Sequence, residues 1–112
     1  MSVALSPRET VTVLRLSGDI SLDDMDSLLT AMTDLILQNQ NKVVLNFRHV
    51  THVSLNAIAR LAERNLRFRA LGGDIKLTEL IPYVANLFKL VGAFSRFDIL
   101  PNEEEAVARF EN

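Results

Sequence analysis

The stretch "RHVTHVSLNAIARL", residues 48–61, gathers the side chains best able to do chemistry: His49, Thr51, His52, Ser54 and Asn56. Each has a chemical reading and a plain one. His49 and His52, three apart in a turn, would be two ligands of a metal centre. A structural zinc wants four. The chain has two histidines and no cysteine, and no carboxylate cluster surrounds the pair, so no metal is expected. Ser54, directly before a helical pattern, reads first as an N-cap whose oxygen accepts from a first-turn amide. Its reading as a phosphoacceptor comes second. Thr51 offers another hydroxyl, although a turn threonine commonly bonds its own backbone. Asn56 suits a first helical turn, and its amide can also meet a partner. A hydrolase would have to draw on Ser54 and His52, with no acid to complete a triad. A glycine-rich phosphate loop and paired carboxylates in a polar turn are missing too. The residues do not read as an enzyme, and no cofactor is expected.

These residues must be positioned by the elements around them. The run "KVVLNF" (42–47) before the loop is continuously apolar, which suits an interior strand covered on both faces. The loop is followed by a helix over about 55–70, with an apolar stripe of Leu55, Ile58, Ala59, Ala62 and Leu66. "LGG" (71–73) ends it, since glycine accepts the left-handed conformation. Upstream, "VTVLRLSG" (11–18) alternates and is β-branched, a strand closed by Gly18. "VALS" before it reads as a partner strand, with "PRET" as the turn and Pro7 starting it. Ser21 then caps a helix with Asp24 at N3 and the stripe Leu22, Met25, Leu28, Leu29, Met32, Leu35, Ile36. "DIKLTEL" is a strand centred on Ile75 and Leu77. Pro82 opens a short helix stopped by Gly92, in which Leu87 and Phe88 pack and Tyr83 is exposed. "FDIL" is a last strand, and Asn102 caps a closing helix with Ala106, Val107 and Phe110 inward. The order β-β-α-β-α-β-α-β-α implies an α/β fold: a mixed sheet of four or five strands with about four helices. The N-terminal hairpin supplies an antiparallel edge.

At 112 residues the chain makes one domain, residues 1–112, with room for one core. A hydrophobic fraction of 48% and a charged fraction of 23% are those of a globular protein. The net charge of −2 gives no reason to expect nucleic acid. No apolar stretch approaches the ~20 residues of a membrane span, so no membrane insertion is expected. The start lacks the long apolar core of a signal peptide, and a cytoplasmic location is the default.

Four pieces in this order resemble the STAS domain family, the sulfate transporter and anti-sigma factor antagonist domains. They are "LRLSGDISLDDMDSL", "KVVLNFRHVTHVSLNAIARL", "ALGGDIKL" and "VANLFKLVGAFSRFDILPNEEEAVARF". The resemblance implies a single STAS-like domain and a non-enzymatic binding switch. Members of this size resemble bacterial anti-sigma factor antagonists. Unphosphorylated, these bind an anti-sigma factor, a serine kinase-like protein, and so regulate transcription. Phosphate on a serine or threonine at the start of the second helix breaks the contact by repulsion and desolvation.

The family's switch motif is close to "D-S-S-G-(L/I)-G", with the second serine as acceptor. Laid on this chain it falls on Ser54, Leu55, Asn56, Ala57, Ile58 and Ala59. Asn56 holds the acceptor position and cannot be phosphorylated; Ser54 and Thr51 are the substitutes. The resemblance places a partner surface on His52, Ser54, Asn56, Arg60 and Arg64. An alternative is a STAS subunit of another complex, a stress-signalling scaffold or the partner of a lipid-transport ATPase. Homodimerisation stays open. Charge placement has two readings as well. Asp19, Asp23, Asp24 and Asp26 crowd the first helix, and Arg60, Arg64 and Arg67 line the second. They form either two solvated faces, with Glu63 and Arg67 as an i, i+4 pair, or a patterned edge that steers a partner.

Overall fold

The structure, a computed structural model, describes residues 1–8 and 10–111. Among the described residues one mixed sheet runs in the order β1-β2-β3-β4-β5. Its strands are β1 (Ser2–Arg8), β2 (Val11–Ile20), β3 (Lys42–Val53), β4 (Asp74–Thr78) and β5 (Ile99–Leu100). The helices are α1 (Leu22–Leu37), α2 (Leu55–Ala70), α3 (Pro82–Leu90) and α4 (Glu103–Glu111). β1 pairs antiparallel with β2, and the other neighbours are parallel. This is the expected architecture, with "KVVLNF" in the central strand. Pro7 departs from expectation. It starts no turn but continues β1, paired with Thr12. An edge strand accepts proline because an N–H facing away from the neighbour is not missed. Glu9 of the expected turn lies outside the described residues.

Both faces of the sheet are covered, which is why the middle of β3, Val43, Val44, Leu45 and Phe47, is apolar on both sides. On one face Leu14, Leu16, Val43, Leu45, Phe47, Ile75 and Leu77 meet the inner sides of α1, α2 and α3. On the other, Val11, Val13 and Val44 meet Leu100, Ala106 and Val107. Among the described residues α4 is thus the helix that covers the second face, a short one apart from the rest. Phe88 sits between Phe47 and Phe97 in two edge-to-face contacts, 5.7 and 5.8 Å between centroids.

The caps follow the sequence. The Ser21 side chain accepts from the Asp24 amide, and the Asp24 carboxylate accepts from the Ser21 amide, a capping box. The hydrogen bonds from the Ser21 amide and hydroxyl hold the Asp24 carboxyl below its usual range. The Asn102 Oδ1 accepts from the Glu105 amide at 2.9 Å. At the end of α2, Gly72 adopts φ +80°. A Cβ on Gly73 would lie 2.0 Å from the Asn41 carbonyl oxygen, so only glycine fits that approach.

The stripe of α2 is the expected one only at Ile58 and Ala62. Ala57, Ile58, Leu61, Ala62, Asn65 and Phe68 are buried, while Leu55, Ala59 and Leu66 face out. The reason is Asn65, a polar residue in the middle of the true stripe. Its Oδ1 accepts from the Ile75 amide at 2.8 Å and ties α2 to β4. A buried backbone N–H needs such a partner.

Candidate functional site

The stretch expected to be a turn is strand. β3 continues to Val53 because β2 continues past Gly18 to Ile20 and keeps pairing with it. Gly18 does not close β2; at φ +87° it lies inside the strand. The register steps from Arg15↔Asn46 to Ser17↔His49, and from Gly18↔Val50 to Asp19↔His52. At each step β3 advances one residue more than β2, so β3 bulges twice between Asn46 and His52. Bulges bend a strand and re-aim its side chains. The two histidines accordingly go to different places. His49 lines a cleft beside α4, whereas His52 meets α3. Among the described residues no group of His, Cys, Asp and Glu is arranged to hold a metal.

His52 Nδ1 lies 2.8 Å from the Tyr83 hydroxyl, with the rings stacked at 5.8 Å and 26°. This pair joins the end of β3 to the start of α3. Ser54 is the N-cap: its hydroxyl accepts from the Ala57 amide at 3.1 Å. His52 and Ser54 are therefore engaged with different partners and not with each other. Thr51 and Asn56 are exposed, Thr51 on the bulged strand and Asn56 in the first turn of α2. Beside them Leu55 is 44% and Tyr83 51% exposed, and neither α2 nor α3 has an acidic first turn. The result is a surface at the helix starts that is polar and apolar but hardly charged.

Arg60 and Arg64 sit further along α2 and reach across to α1. Arg60 pairs with Asp26 at 2.7 Å, and Arg64 donates to the Leu29 carbonyl at 3.1 Å and to the Thr33 hydroxyl. Of the acidic residues near the start of α1, Asp26 thus meets an arginine of α2, while Asp24 serves the Ser21 cap. Among the described residues no ion pair joins Glu63 to Arg67; both line a small groove with Arg60 and Arg64.

A second polar region is absent from the sequence reading. On the α4 side of the sheet a cleft of about 390 Å³ is lined by Arg15, Asn46, Arg48, His49, Glu79 and the start of α4. Asn46 Nδ2 donates to Glu79 at 2.7 Å and to Glu103 at 2.6 Å, while its Oδ1 accepts from the Arg48 amide at 2.8 Å. Arg15 clamps Glu103 through both carboxylate oxygens, 2.8 and 2.9 Å away. That bond and the Glu103 charge hold the Arg15 guanidinium above its usual pKa. Glu79 adopts φ +61°, where L residues are uncommon, and so turns the chain off the end of β4. One signal was available: an asparagine inside the apolar run "KVVLNF" must find partners if it is buried.

Fold and site together define an α/β domain that presents an exposed helix start at the end of its central strand. The STAS domain family model matches residues 2–106, and the chain belongs to that family. Its structure resembles SpoIIAA, the Bacillus cell fate determinant and anti-sigma factor antagonist, in its unphosphorylated form. There the TM-score is 0.83 and identity 20%, over 98% of this chain and 96% of that one. An anti-sigma factor antagonist from Mycobacterium paratuberculosis matches at TM-score 0.84 and 16% identity, over 99% and 94%. The murine anion transporter Slc26a9 matches at TM-score 0.76 and 16% identity, over 95% of this chain but 18% of that one. At such identities the likeness concerns the fold. Among the described residues no helix is long and apolar enough to cross a membrane.

Proposed function

We propose that this chain is a cytoplasmic binding module of the anti-sigma factor antagonist kind, whose partner is an anti-sigma factor or a related serine kinase-like signalling protein. It acts by binding and not by catalysis, and through that binding it regulates transcription. The observation that carries the reading is the exposed, scarcely charged surface at the start of α2. Asn56 stands there at the position that the family motif gives to the phosphoacceptor. His52 and Ser54 complete the docking surface, and Arg60 and Arg64 form its rim. A partner that engages either arginine must replace the contact each now makes with α1.

Asn56 is uncharged and has no hydroxyl, so it imitates the binding-competent state. The module therefore binds constitutively at this position. Regulation, where it exists, falls to Thr51, whose hydroxyl is on an exposed residue, before Ser54, whose hydroxyl serves the cap.

The test is the variant Asn56→Asp, titrated against anti-sigma factors of the native host. A charge near a helix N-terminus is tolerated, so folding is retained. In a desolvated interface that unpaired charge should weaken binding at least about tenfold, equal to about 1.4 kcal/mol. Unchanged affinity would remove Asn56 from the interface. Intact mass after incubation with the kinase and ATP should show no added phosphate; stoichiometric phosphate on Thr51 or Ser54 would show that one of them replaces the absent acceptor and would overturn constitutive binding.

A further inference from the structure

The sheet has one long open edge. β5 is two residues long, but β1 runs for seven on the opposite side. Proteins blunt such edges with charge, proline, shortness or cover. Pro7 and Arg8 supply two of these at one end of β1, but the segment Ser2 to Ser6 has neither. It is uncharged and free of proline, and Ser2, Val3, Ala4 and Leu5 are exposed. Val3 and Leu5 pair with Leu16 and Leu14, so they extend the main apolar face past its margin, where they are 43% and 62% exposed.

The segment Ser-Val-Ala-Leu-Ser is also symmetric in residue type about Ala4, with an aliphatic side chain on each side of it and a serine at each end. An interface between identical copies about a two-fold axis must be self-complementary. We propose that two copies of this chain pair antiparallel through β1, with the axis at Ala4. Val3 then faces Leu5 of the other copy, Ser2 faces Ser6, and Ala4 faces itself. The backbone suits this register. Pro7 has no N–H, which fits a position whose amide points away from β2. By alternation the amides of Val3 and Leu5 also point outward. In the pair they exchange N–H···O=C bonds with Leu5 and Val3 of the second copy. On the α1 side these four side chains form one apolar cluster that continues the row of Leu14 and Leu16. No like charges oppose each other between Ser2 and Ser6. The two sheets become one, and the two α2 starts point to opposite ends, so the pair is a bivalent form of the module. The pairing does not depend on the identity of the signalling partner.

The buried strip is smaller than the roughly 1,200 Å² of standard interfaces, so association should be weak, with monomer at about 5 µM and dimer at about 500 µM. Sedimentation velocity across that range should show the shift, and Leu5→Lys, at an exposed position, should abolish it while far-UV circular dichroism stays the same. A chain that stays monomeric throughout overturns the proposal and leaves the edge to an extended segment of another protein. A dimer indifferent to Leu5→Lys overturns it as well, since the contact then lies elsewhere. The register has its own test, because the chain has no cysteine. A self-facing pair without mutual hydrogen bonds sets its Cα atoms about 4.5 Å apart, inside the range of about 4.4–6.8 Å that a disulfide spans. Ser6 and its copy would be about 14 Å apart at about 3.4 Å per residue. Under mild oxidation Ala4→Cys should cross-link at least tenfold faster than Ser6→Cys. Equal rates would sink the register.

Discussion

On the α4 side of β3, Asn46 is only 8% exposed and is held at both ends of its amide, by Glu79, Glu103 and the Arg48 backbone. At the far end of the same strand, His52 keeps one side-chain bond, and Thr51, Leu55 and Asn56 face outward. The first region tolerates one arrangement, because a buried amide between two carboxylates must keep its donors and acceptors satisfied. The second can be rewritten residue by residue while the backbone stays put. The difference separates what holds this fold from what it displays. On the displayed side Leu55, Asn56 and Ala59 are exposed and make no contact that the core depends on.

The comparison breaks most visibly at Asn46. Asn46→Asp deletes the shared donor and sets a third carboxylate against Glu79 and Glu103. Leaving a charge uncompensated in a buried network costs about 3–5 kcal/mol; the cleft's access to solvent puts this site at about 3 kcal/mol. Urea denaturation at neutral pH should show it as a lower midpoint at unchanged slope. The sign with pH is fixed. Crowding by two carboxylates and burial raise the folded-state pKa of the new carboxyl above its unfolded value. The penalty is therefore present at neutral pH and shrinks relative to wild type on acidification. A loss below about 1 kcal/mol, within the range of an ordinary neutral hydrogen bond, would mean that the cleft is as permissive as the loop.

Ser54 both holds and displays, since it is the cap that starts α2 and a member of the proposed docking surface. Ser54→Ala removes the acceptor for the Ala57 amide and should cost about 1 kcal/mol by denaturation. Ser54→Asp keeps a capping oxygen and adds charge at the dipole's favoured end, so it should recover most of that loss. Partner affinity should fall in Ser54→Asp but not in Ser54→Ala. Equal affinities would show that the docking surface starts beyond the cap.

Much of this was legible along the chain, and the exceptions have physical causes. Alternation and caps marked the five strands and four helices because each element buries its own face and satisfies its own ends, as at Ser21, Ser54 and Asn102. Strand ends were less legible. Residues 48–53 carry His, Thr and Arg among only two valines, and they are strand because β2 offers a partner, which no local pattern announces. Leu55, Ala59 and Leu66 were misplaced in the α2 stripe because Asn65 is buried for the sake of an amide on β4, ten residues further on. The Asn46 network joins β2, β3, the end of β4 and α4, with Asn46 and Glu103 57 residues apart. Only the oddity of an asparagine in an apolar run pointed to it. The motif residues at 54–59 were placed by family likeness, and the contacts of His52 came only with the fold.

The smallest expected effect sharpens the displayed side of the comparison. Tyr83→Phe removes the hydroxyl that lies 2.8 Å from His52 Nδ1 and leaves the ring stacking intact. A solvent-exposed hydrogen bond of this kind is worth at most about 0.5 kcal/mol, so stability should barely move. The consequence is local order. The hydrogen bond at Nδ1 selects which imidazole nitrogen carries the proton in the neutral ring. Nitrogen chemical shifts of His52 should therefore show one dominant tautomer in the wild-type chain and a mixture in Tyr83→Phe. His49, on the cleft side, should be unaffected and serves as the internal control. If the His52 tautomer is unchanged by the substitution, the pair does not order the end of β3. The surface beside Asn56 is then shaped by the bulges of the strand alone.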